Sequence, residues 1–455
     1  MVSVTIGIDI GTSYTKCSAR TKNGTVIASS RKPSSKILVS HLTDIWSATE
    51  WWKDVKEVFN RLFISVKQER ICIKSICVSA IAPTLTLFDS SNPDKAYSIL
   101  YSTLPKFEDG SSFSQCDPLL TEYRLNILKQ IAITEHFIKP CVTDLVGYIN
   151  WRFTEALTIN NISLVEMGMS QGMKDCERLT IENNISPRLV AVGEVIGIIS
   201  KKVEQELNIS KEVTICGGCP DTMSSIVGAG LSNSQDVMLY LGTFGSFMSI
   251  EKDVQTLLDS TNLKYTPFNW QLSVPGLGPQ IEFLSHQWFD SKYNIDCLAT
   301  LDQFAASMTQ GADGTLFLIP RWKNGMTSVG KFEFMPNRKG EIGNIARCAR
   351  AVLESISYAI LAVEPYSCDR IYVSGGGSRS KTWINIISSI LEKDLLVHNM
   401  AWEAVGAADI AARTIWSNFE TRPLYYARTD MQPTNKIAID NFKRVMEYYN
   451  EFNWL

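Results

Sequence analysis

The sequence predicts an α/β protein built from two related lobes. Short β-branched runs alternate with amphipathic helical patterns along the chain. A strand, Gly-Thr turn, strand pattern opens the chain and returns near its middle, as Ile6-Gly7-Ile8-Asp9-Ile10-Gly11-Thr12 and Met238-Leu239-Tyr240-Leu241-Gly242-Thr243. A pattern repeated at half-chain distance points to duplicated units. The 455 residues, 45% of them hydrophobic, suffice for two or three domains with their own cores.

Val4 to Ile10 is alternating and β-branched, a strand pattern. Gly11-Thr12-Ser13 turns the chain into a second strand, Thr15 to Arg20. Asn23-Gly24 is a hairpin signal that brings back a third, Thr25 to Ser29. Ala48 to Val66 sets Trp51, Val55, Val58, Phe59 and Leu62 on one helical face. Ile71 to Ser79 reads as a buried strand. Asp89 to Gln115 is turn-rich and weakly periodic. Helical patterns resume over Pro118 to Lys129 and Asp144 to Phe153, and Val213 to Cys216 is a short strand running into Gly217-Gly218.

The lobe boundary falls near Ile226 to Ser234, which gives lobes of residues 1–228 and 229–455. The second lobe opens with strands Val237 to Leu241 and Ser246 to Ile250. A helix over Asn344 to Val363 is ended by Glu364-Pro365. The strand Arg370 to Ser374 runs into Gly375-Gly376-Gly377. Helices follow over Ser380 to Leu391, Ala404 to Trp416 and Asn441 to Phe452.

The net charge of -3 offers no positive field for nucleic acid. The opening residues lack a basic region followed by an apolar core, so no signal peptide is expected. No apolar run approaches the about 20 residues that span a bilayer, so no membrane partner is expected and the expected location is cytoplasmic. Eleven cysteines, an odd number without small-scaffold spacing, read as reduced and mostly buried thiols. The lone CxxC, Cys216-Gly217-Gly218-Cys219, lacks a second pair or a nearby His for zinc and reads as small residues lining a Gly-rich loop.

Three glycine turns follow strands, at Gly11, Gly242 and Gly375. Glycine lets backbone N–H groups approach a phosphate, and Thr or Ser hydroxyls add donors. GxxxxGK[ST] is absent, so none is a Walker loop. Asp9, at a strand end, suits a Mg²⁺ ion beside phosphates, and Lys16 suits a phosphate as a point charge. The alternative is a carboxylate capping its own turn beside a solvated lysine. Gly375 to Ser380 opens a helix, a geometry suited to a nucleotide, but lacks the full GxGxxG pattern. Asp221 is a lone acid between Gly217-Gly218 and Gly228-Ala229-Gly230. It suits a general base taking a proton from an attacking hydroxyl, or equally a helix N-cap. The four histidines are dispersed and no GxSxG occurs, which disfavours zinc hydrolysis and hydrolytic triads. Trp46 either joins the core or lines a sugar site.

In combination these segments resemble the FGGY family of carbohydrate kinases, which includes xylulose, glycerol and gluconate kinases, along nearly the whole chain. Gly7 to Ser13 with Lys16 is similar to the family's first phosphate motif, and Leu241 to Gly245 to its second. Gly217 to Asp221 with Gly228-Ala229-Gly230 resembles the catalytic-Asp segment. Gly311 to Leu318 and Arg350 to Glu354 resemble core segments. Ser374 to Ser378 with Lys381-Thr382-Trp383, then Glu403 to Ala408, resembles the adenosine motif.

The resemblance implies two RNase H-like lobes of the actin and hexokinase class with a cleft between them, and ATP with Mg²⁺ as cofactors. It implies Asp221 as base and Asp9 at the metal. Thr12, Ser13, Lys16, Gly242, Thr243, Gly278, Gly376 and Gly377 fall to the nucleotide, and Ala80, Trp46 and Asp221 to the small sugar, polyol or sugar-acid substrate, with a pentulose of xylulose type favoured. It leaves room for a homodimer.

The departures lie on the sugar side. Ser79-Ala80-Ile81-Ala82-Pro83-Thr84 stands where the family has Ser-Gly-Gln-Met-His-Gly, and Tyr101-Ser102-Thr103-Leu104-Pro105 stands near its Trp-x-Asp-x-Arg. Buried donors and acceptors set such specificity, so the substrate does not carry over. Two further readings stand beside an active kinase. One is a nucleotide-binding protein that has lost sugar phosphorylation and serves as a sensor or partner-binding module. The other is an actin-like or chaperone ATPase.

Overall fold

The computed structural model describes the chain apart from residues 36, 40–41, 43, 67–70, 104–116, 182–184, 210–211, 233, 243–244, 259–262, 264–267, 275–276, 290–296, 319–332, 336–344, 362–367, 369, 398–401, 417–418, 420–435 and 452–455. It divides into two α/β units. The first comprises Met1–Ser232, Lys252–Pro267 and Met400–Leu424, and the second Asn233–Glu251, Phe268–Asn399 and Tyr425–Leu455.

In chain order the first unit opens with β1 (Val2–Ile10), β2 (Tyr14–Thr21), β3 (Val26–Pro33), β4 (Trp46–Ser47), α1 (Ala48–Val66), β5 (Ile71–Ala80), β6 (Thr84–Asp89) and β7 (Asn92–Leu100). Then come α2 (Pro118–Thr134), β8 (Pro140–Thr143), α3 (Leu145–Thr154), β9 (Thr158–Asn160), α4 (Asn161–Glu166), α5 (Met173–Arg178), β10 (Arg188–Val190), β11 (Val195–Ile198), α6 (Lys201–Leu207), β12 (Thr214–Pro220) and α7 (Asp221–Ala229). Six strands form its main sheet in the order β11-β12-β5-β1-β2-β3. β1, β5 and β12 run parallel, and β2 and β3 antiparallel. β1 is buried along almost its whole length because the sheet is covered on both faces, whereas edge strand β3 alternates between half-buried and exposed residues. The apolar stripe of α1, Trp51, Val55, Val58, Phe59 and Leu62, packs into the same core as Ile6, Ile8 and Val78.

The chain continues as β13 (Asp236–Leu241), β14 (Gly245–Ile250), α8 (Val254–Leu258), β15 (Phe268–Val274), α9 (Leu277–Trp288), α10 (Cys297–Ala306), β16 (Leu316–Leu318), β17 (Glu333–Met335), α11 (Ile345–Leu361), β18 (Arg370–Ser374), α12 (Lys381–Leu391), β19 (Leu395–Val397), α13 (Trp402–Ile415) and α14 (Lys436–Glu451). The main sheet of the second unit has the order β15-β14-β13-β18-β19. β13, β18 and β19 are parallel, and β14 and β15 antiparallel. This is the order and sense of β3-β2-β1-β5-β12, so the repeat read from a Gly-Thr turn extends to five strands. Its core joins Leu239 and Val373 of the sheet to Val352 and Ile356 of α11 and Trp383 of α12.

The units differ from the expected lobes of 1–228 and 229–455, because Lys252–Pro267 and the segment that carries α13 belong to the first unit, the latter through α13 itself. The reason is its small-residue face. A Cβ at Gly7 of β1 would lie 1.9 Å from the Ala404 carbonyl, and one at Gly406 would lie 1.8 Å from the Ser224 carbonyl of α7. Thr5 Oγ1 donates to the Ala408 carbonyl at 2.9 Å, and Arg20 pairs with Asp409 at 2.5 Å with both side chains fully buried.

Two other expectations change. Asp89 to Gln115 is not wholly irregular, since it contains β7, hairpin partner of β6. Gly217-Gly218 is not a loop but part of β12, with its register against β5 shifted between Cys216 and Cys219. Both cysteines are buried thiols there. Among the described residues no helix is long and apolar enough to cross a membrane.

Candidate active site

The parallel strands β1, β5 and β12 of the first unit end side by side, with Ile10 paired to Ala80 and Ala80 to Pro220. In open α/β sheets the carboxyl ends of the strands are where ligands bind. Asp9, one residue before the end of β1, is 1% exposed and accepts a hydrogen bond from Ser79 Oγ at 3.2 Å. Its partner across the hairpin is Lys16 of β2. The Lys16 ammonium lies 3.1 Å from Asp9 Oδ2 and 3.0 Å from Glu403 Oε2. Lys16 is therefore held by two carboxylates, not solvated. The turn that carries Thr12 and Ser13 is tied by Ser34, whose N–H donates to the Ser13 carbonyl at 3.0 Å and whose hydroxyl donates to the Gly11 carbonyl at 2.7 Å.

Asp221 follows Pro220 directly and is the first residue of α7. Pro220, not Asp221, occupies the N-cap position, so the capping alternative does not hold. The Asp221 carboxylate accepts from the Thr222 N–H at 2.8 Å. Loss of water, then the charges of Asp9 and Glu403, push its pKa up to about 8, against the pull of Lys16. Burial likewise pushes Asp9 up to about 6. Burial also opposes the Glu403 charge, but Lys16 and nearby backbone and hydroxyl donors outweigh it and hold Glu403 below its usual range. Glu403 thus ionises at lower pH than Asp9, in keeping with its side chain being 12% exposed against 1% for Asp9.

Asp9 and Glu403 on one ammonium leave a surplus of negative charge, Asp221 stands within electrostatic reach, and all the donors are hard oxygens. That set fits Mg²⁺, which takes one or two protein carboxylates and completes its shell with water and substrate phosphates. Among the described residues no group of three or more His, Cys, Asp or Glu side chains is placed to hold a metal ion.

Beyond Ala80 the chain crosses to β6. Ile81 N donates to the Ile10 carbonyl at 3.0 Å, the Ala82–Pro83 bond is cis, and Thr84 Oγ1 donates to the Ile81 carbonyl at 2.8 Å. Thr84 pairs with Leu100, after which a turn carries Tyr101 to Thr103. Burial, then the charge of Asp221, raises the pKa of the Tyr101 phenol. Buried Glu166, at the end of α4, is raised well above the carboxylate range by burial, then by Asp221 and Asp144. Trp46 pairs with Ser98, and its ring stacks on Trp51 with centroids 6.5 Å apart; its described contacts are those of a core residue.

In the second unit the turns after β13 and β18 are neighbours. Gly375 has φ of +90°, and a Cβ there would lie 2.4 Å from the Leu241 carbonyl, just before Gly242. Gly376 and Gly377 begin a 3-10 turn, and Ser380 then caps α12 by accepting from Trp383 N at 3.0 Å. Gly278 lies in the first turn of α9. Thr243 lies outside the described residues.

A family model describing the N-terminal domain of the FGGY family of carbohydrate kinases matches residues 4–109. A xylulose kinase of Staphylococcus epidermidis is 22% identical over 451 residues, covering 90% of this chain and 87% of the relative. The crystal structure of xylulose kinase from Rhodospirillum rubrum superposes with a TM-score of 0.72 at 20% identity, over 99% of both chains. That of gluconate kinase from Lactobacillus acidophilus gives 0.72 at 17% identity, over 99% of this chain and 98% of that one.

The chain is similar to FGGY-family carbohydrate kinases along nearly its whole length, and residues 4–109 match the family's N-terminal domain.

Its two units have the α/β fold of the actin and hexokinase class that family members share. Against the family pattern, the two departing segments, Ser79 to Thr84 and Tyr101 to Thr103, adjoin each other through the Thr84–Leu100 pair. Glu403, expected with the adenosine motif, instead meets Lys16 in the first unit. Sequence reasoning named Ser79 and Tyr101 only within the departing segments, and it missed Glu166 and the buried Arg124. None stands in a local pattern that marks chemistry.

Proposed function

We propose that this FGGY-like protein transfers the γ-phosphoryl group of ATP to a hydroxyl of a small sugar or polyol, with Asp221 as general base. The observation that carries this is the position of Asp221 at the end of β12, within electrostatic reach of Asp9, Lys16 and Glu403. Its raised pKa suits a base that takes a proton from the attacking hydroxyl near neutral pH. Asp221 also orients that oxygen by accepting its hydrogen bond. Lys16 and the Thr12-Ser13 turn meet the transferring phosphate, which favours developing negative charge there. Asp9 would hold Mg²⁺, and the ion when bound supplies positive charge beside the phosphoryl group. Gly242, Thr243, Gly278, Gly376 and Gly377 fall to the nucleotide, and Ala80 to the acceptor.

Several relatives are xylulose kinases, so a five-carbon ketose heads the list of acceptors. The departing segments beside Asp221 favour a second reading, a nucleotide-binding member that no longer phosphorylates sugars. Both are tested by screening ketoses, polyols and sugar acids for acceptor-dependent ADP release. Robust turnover that Asp221→Asn abolishes supports the kinase, and ATP binding without turnover on any acceptor supports the second reading.

A further inference from the structure

Arg124, in α2, is 2% exposed. Its Nη2 donates to the Tyr101 carbonyl at 2.6 Å, and its Nε and Nη2 each donate to the Thr103 carbonyl at 3.3 Å. All of its described hydrogen bonds therefore go to one turn, and none goes to a carboxylate. A buried guanidinium is costly unless its donors are satisfied. Burial lowers its pKa to about 10, which leaves it cationic at neutral pH. The turn is closed by Thr103 N donating to the Leu100 carbonyl at 3.0 Å, and Thr103 Oγ1 makes a longer bond of 3.4 Å to the Asp44 carbonyl. The turn starts where Leu100 pairs with Thr84, four residues past Ala80, whose neighbour Pro220 precedes Asp221.

We propose that Arg124 is a positioning residue for the acceptor substrate. By gripping the carbonyls of Tyr101 and Thr103 it fixes the turn that follows the Thr84–Leu100 pair, on the side of the strand ends that carry Ala80 and Asp221, and so sets acceptor affinity without touching the acceptor. The proposal rests on the reading of Asp221 as base toward a sugar or polyol hydroxyl. Without the guanidinium, two carbonyls in a dry setting lose charge-assisted partners, and the turn relaxes to find others. The nucleotide residues named above belong to other turns, so their geometry does not depend on this grip.

The test uses the full chain with Arg124→Met and Arg124→Lys, measuring kcat and KM for the acceptor and for ATP, and amide hydrogen exchange over residues 98–103. Arg124→Met is expected to raise the acceptor KM about tenfold or more, with the ATP KM within about twofold of wild type. Arg124→Lys keeps the charge and recovers part of the loss. Exchange over 98–103 rises in Arg124→Met. An unchanged acceptor KM, or equal changes in both KM values, overturns the proposal. If Arg124→Met does not fold, Arg124→Lys decides: a raised acceptor KM at constant ATP KM supports the positioning role, and no change overturns it. A wild type that turns over no acceptor defeats the functional reading itself; exchange over 98–103 then decides the grip, and unaltered exchange overturns it.

Discussion

The Lys16 ammonium stands 3.0 Å from Glu403 Oε2, although 387 positions separate the two residues. Together with Asp9 at 3.1 Å, this pair ties α13 to the turn that opens the chain. Glu403 thus shares one counter-charge with the proposed metal ligand, and any change to Lys16 is felt by both carboxylates.

Replacing Lys16 with Met leaves two buried acids facing each other. We expect a loss of about 2 kcal/mol or more at pH 7.5 in denaturant titrations. The deficit should shrink at pH 5, because Asp9, already pushed up to about 6, is then protonated and needs no partner. A deficit that does not vary with pH would show that the ion pair is not its source.

Asp221 makes a pH prediction of its own. Its pKa in the folded protein, about 8, lies above the ordinary 3.8, so the folded state holds a proton that the unfolded state has released. Stability from this group is present at low pH and is lost as pH rises from about 4 through 8. Asp221→Asn has no proton to lose. Its stability relative to wild type should increase steadily across that window in parallel melting curves.

The same variant should lose turnover by at least about a hundredfold while binding ATP as before, since only proton removal from the acceptor is lost. Calorimetry of ATP binding alongside ADP release checks both halves. In the wild type, kcat/KM for the acceptor should rise with pH along a limb governed by Asp221. A flat profile between pH 6 and 9 would place the base elsewhere.

Gly406→Ala would set a methyl group 1.8 Å from the Ser224 carbonyl, where neither backbone can retreat without parting α7 from α13. A destabilisation of about 3 kcal/mol is expected. Because α13 also carries Glu403, the Lys16–Glu403 pair should weaken with it, and added salt should then destabilise the variant less than it does wild type.

In the second unit, Gly375→Ala meets both a positive φ and the Leu241 carbonyl at 2.4 Å. It should weaken ATP binding by about tenfold or more, since the 3-10 turn of Gly376 and Gly377 must move. Acceptor affinity, which rests on the first unit in our reading, should be retained, and separate titrations of the two ligands would show it.

Much was legible along the chain because helices and strands advertise the face they bury. The apolar stripe of α1 and the β-branched run of β18 are local signals, and both elements have the bounds that the sequence indicates. The Gly-Thr repeat correctly announced a duplicated sheet order, since a hairpin turn has a chemical signature of its own. β7 was hidden because its more exposed first half, with Asn92, Asp94 and Lys95, is turn-like, so that only pairing with β6 makes it a strand. Gly217-Gly218 looked like a loop for the opposite reason. Glycine pairs exist in loops and in strands where backbones crowd, and the residues that crowd them are far away in sequence.

The sequence alone determined the resemblance to FGGY kinases, the doubled α/β plan, and the candidacy of Asp9, Lys16 and Asp221. Only the tertiary structure decided that α13 returns to the first unit, that Glu403 shares Lys16 with Asp9, and that Arg124 grips the turn of Tyr101 to Thr103. Periodicity records which face of an element is buried, but not which distant element covers it. Those three partnerships depend on the second kind of information.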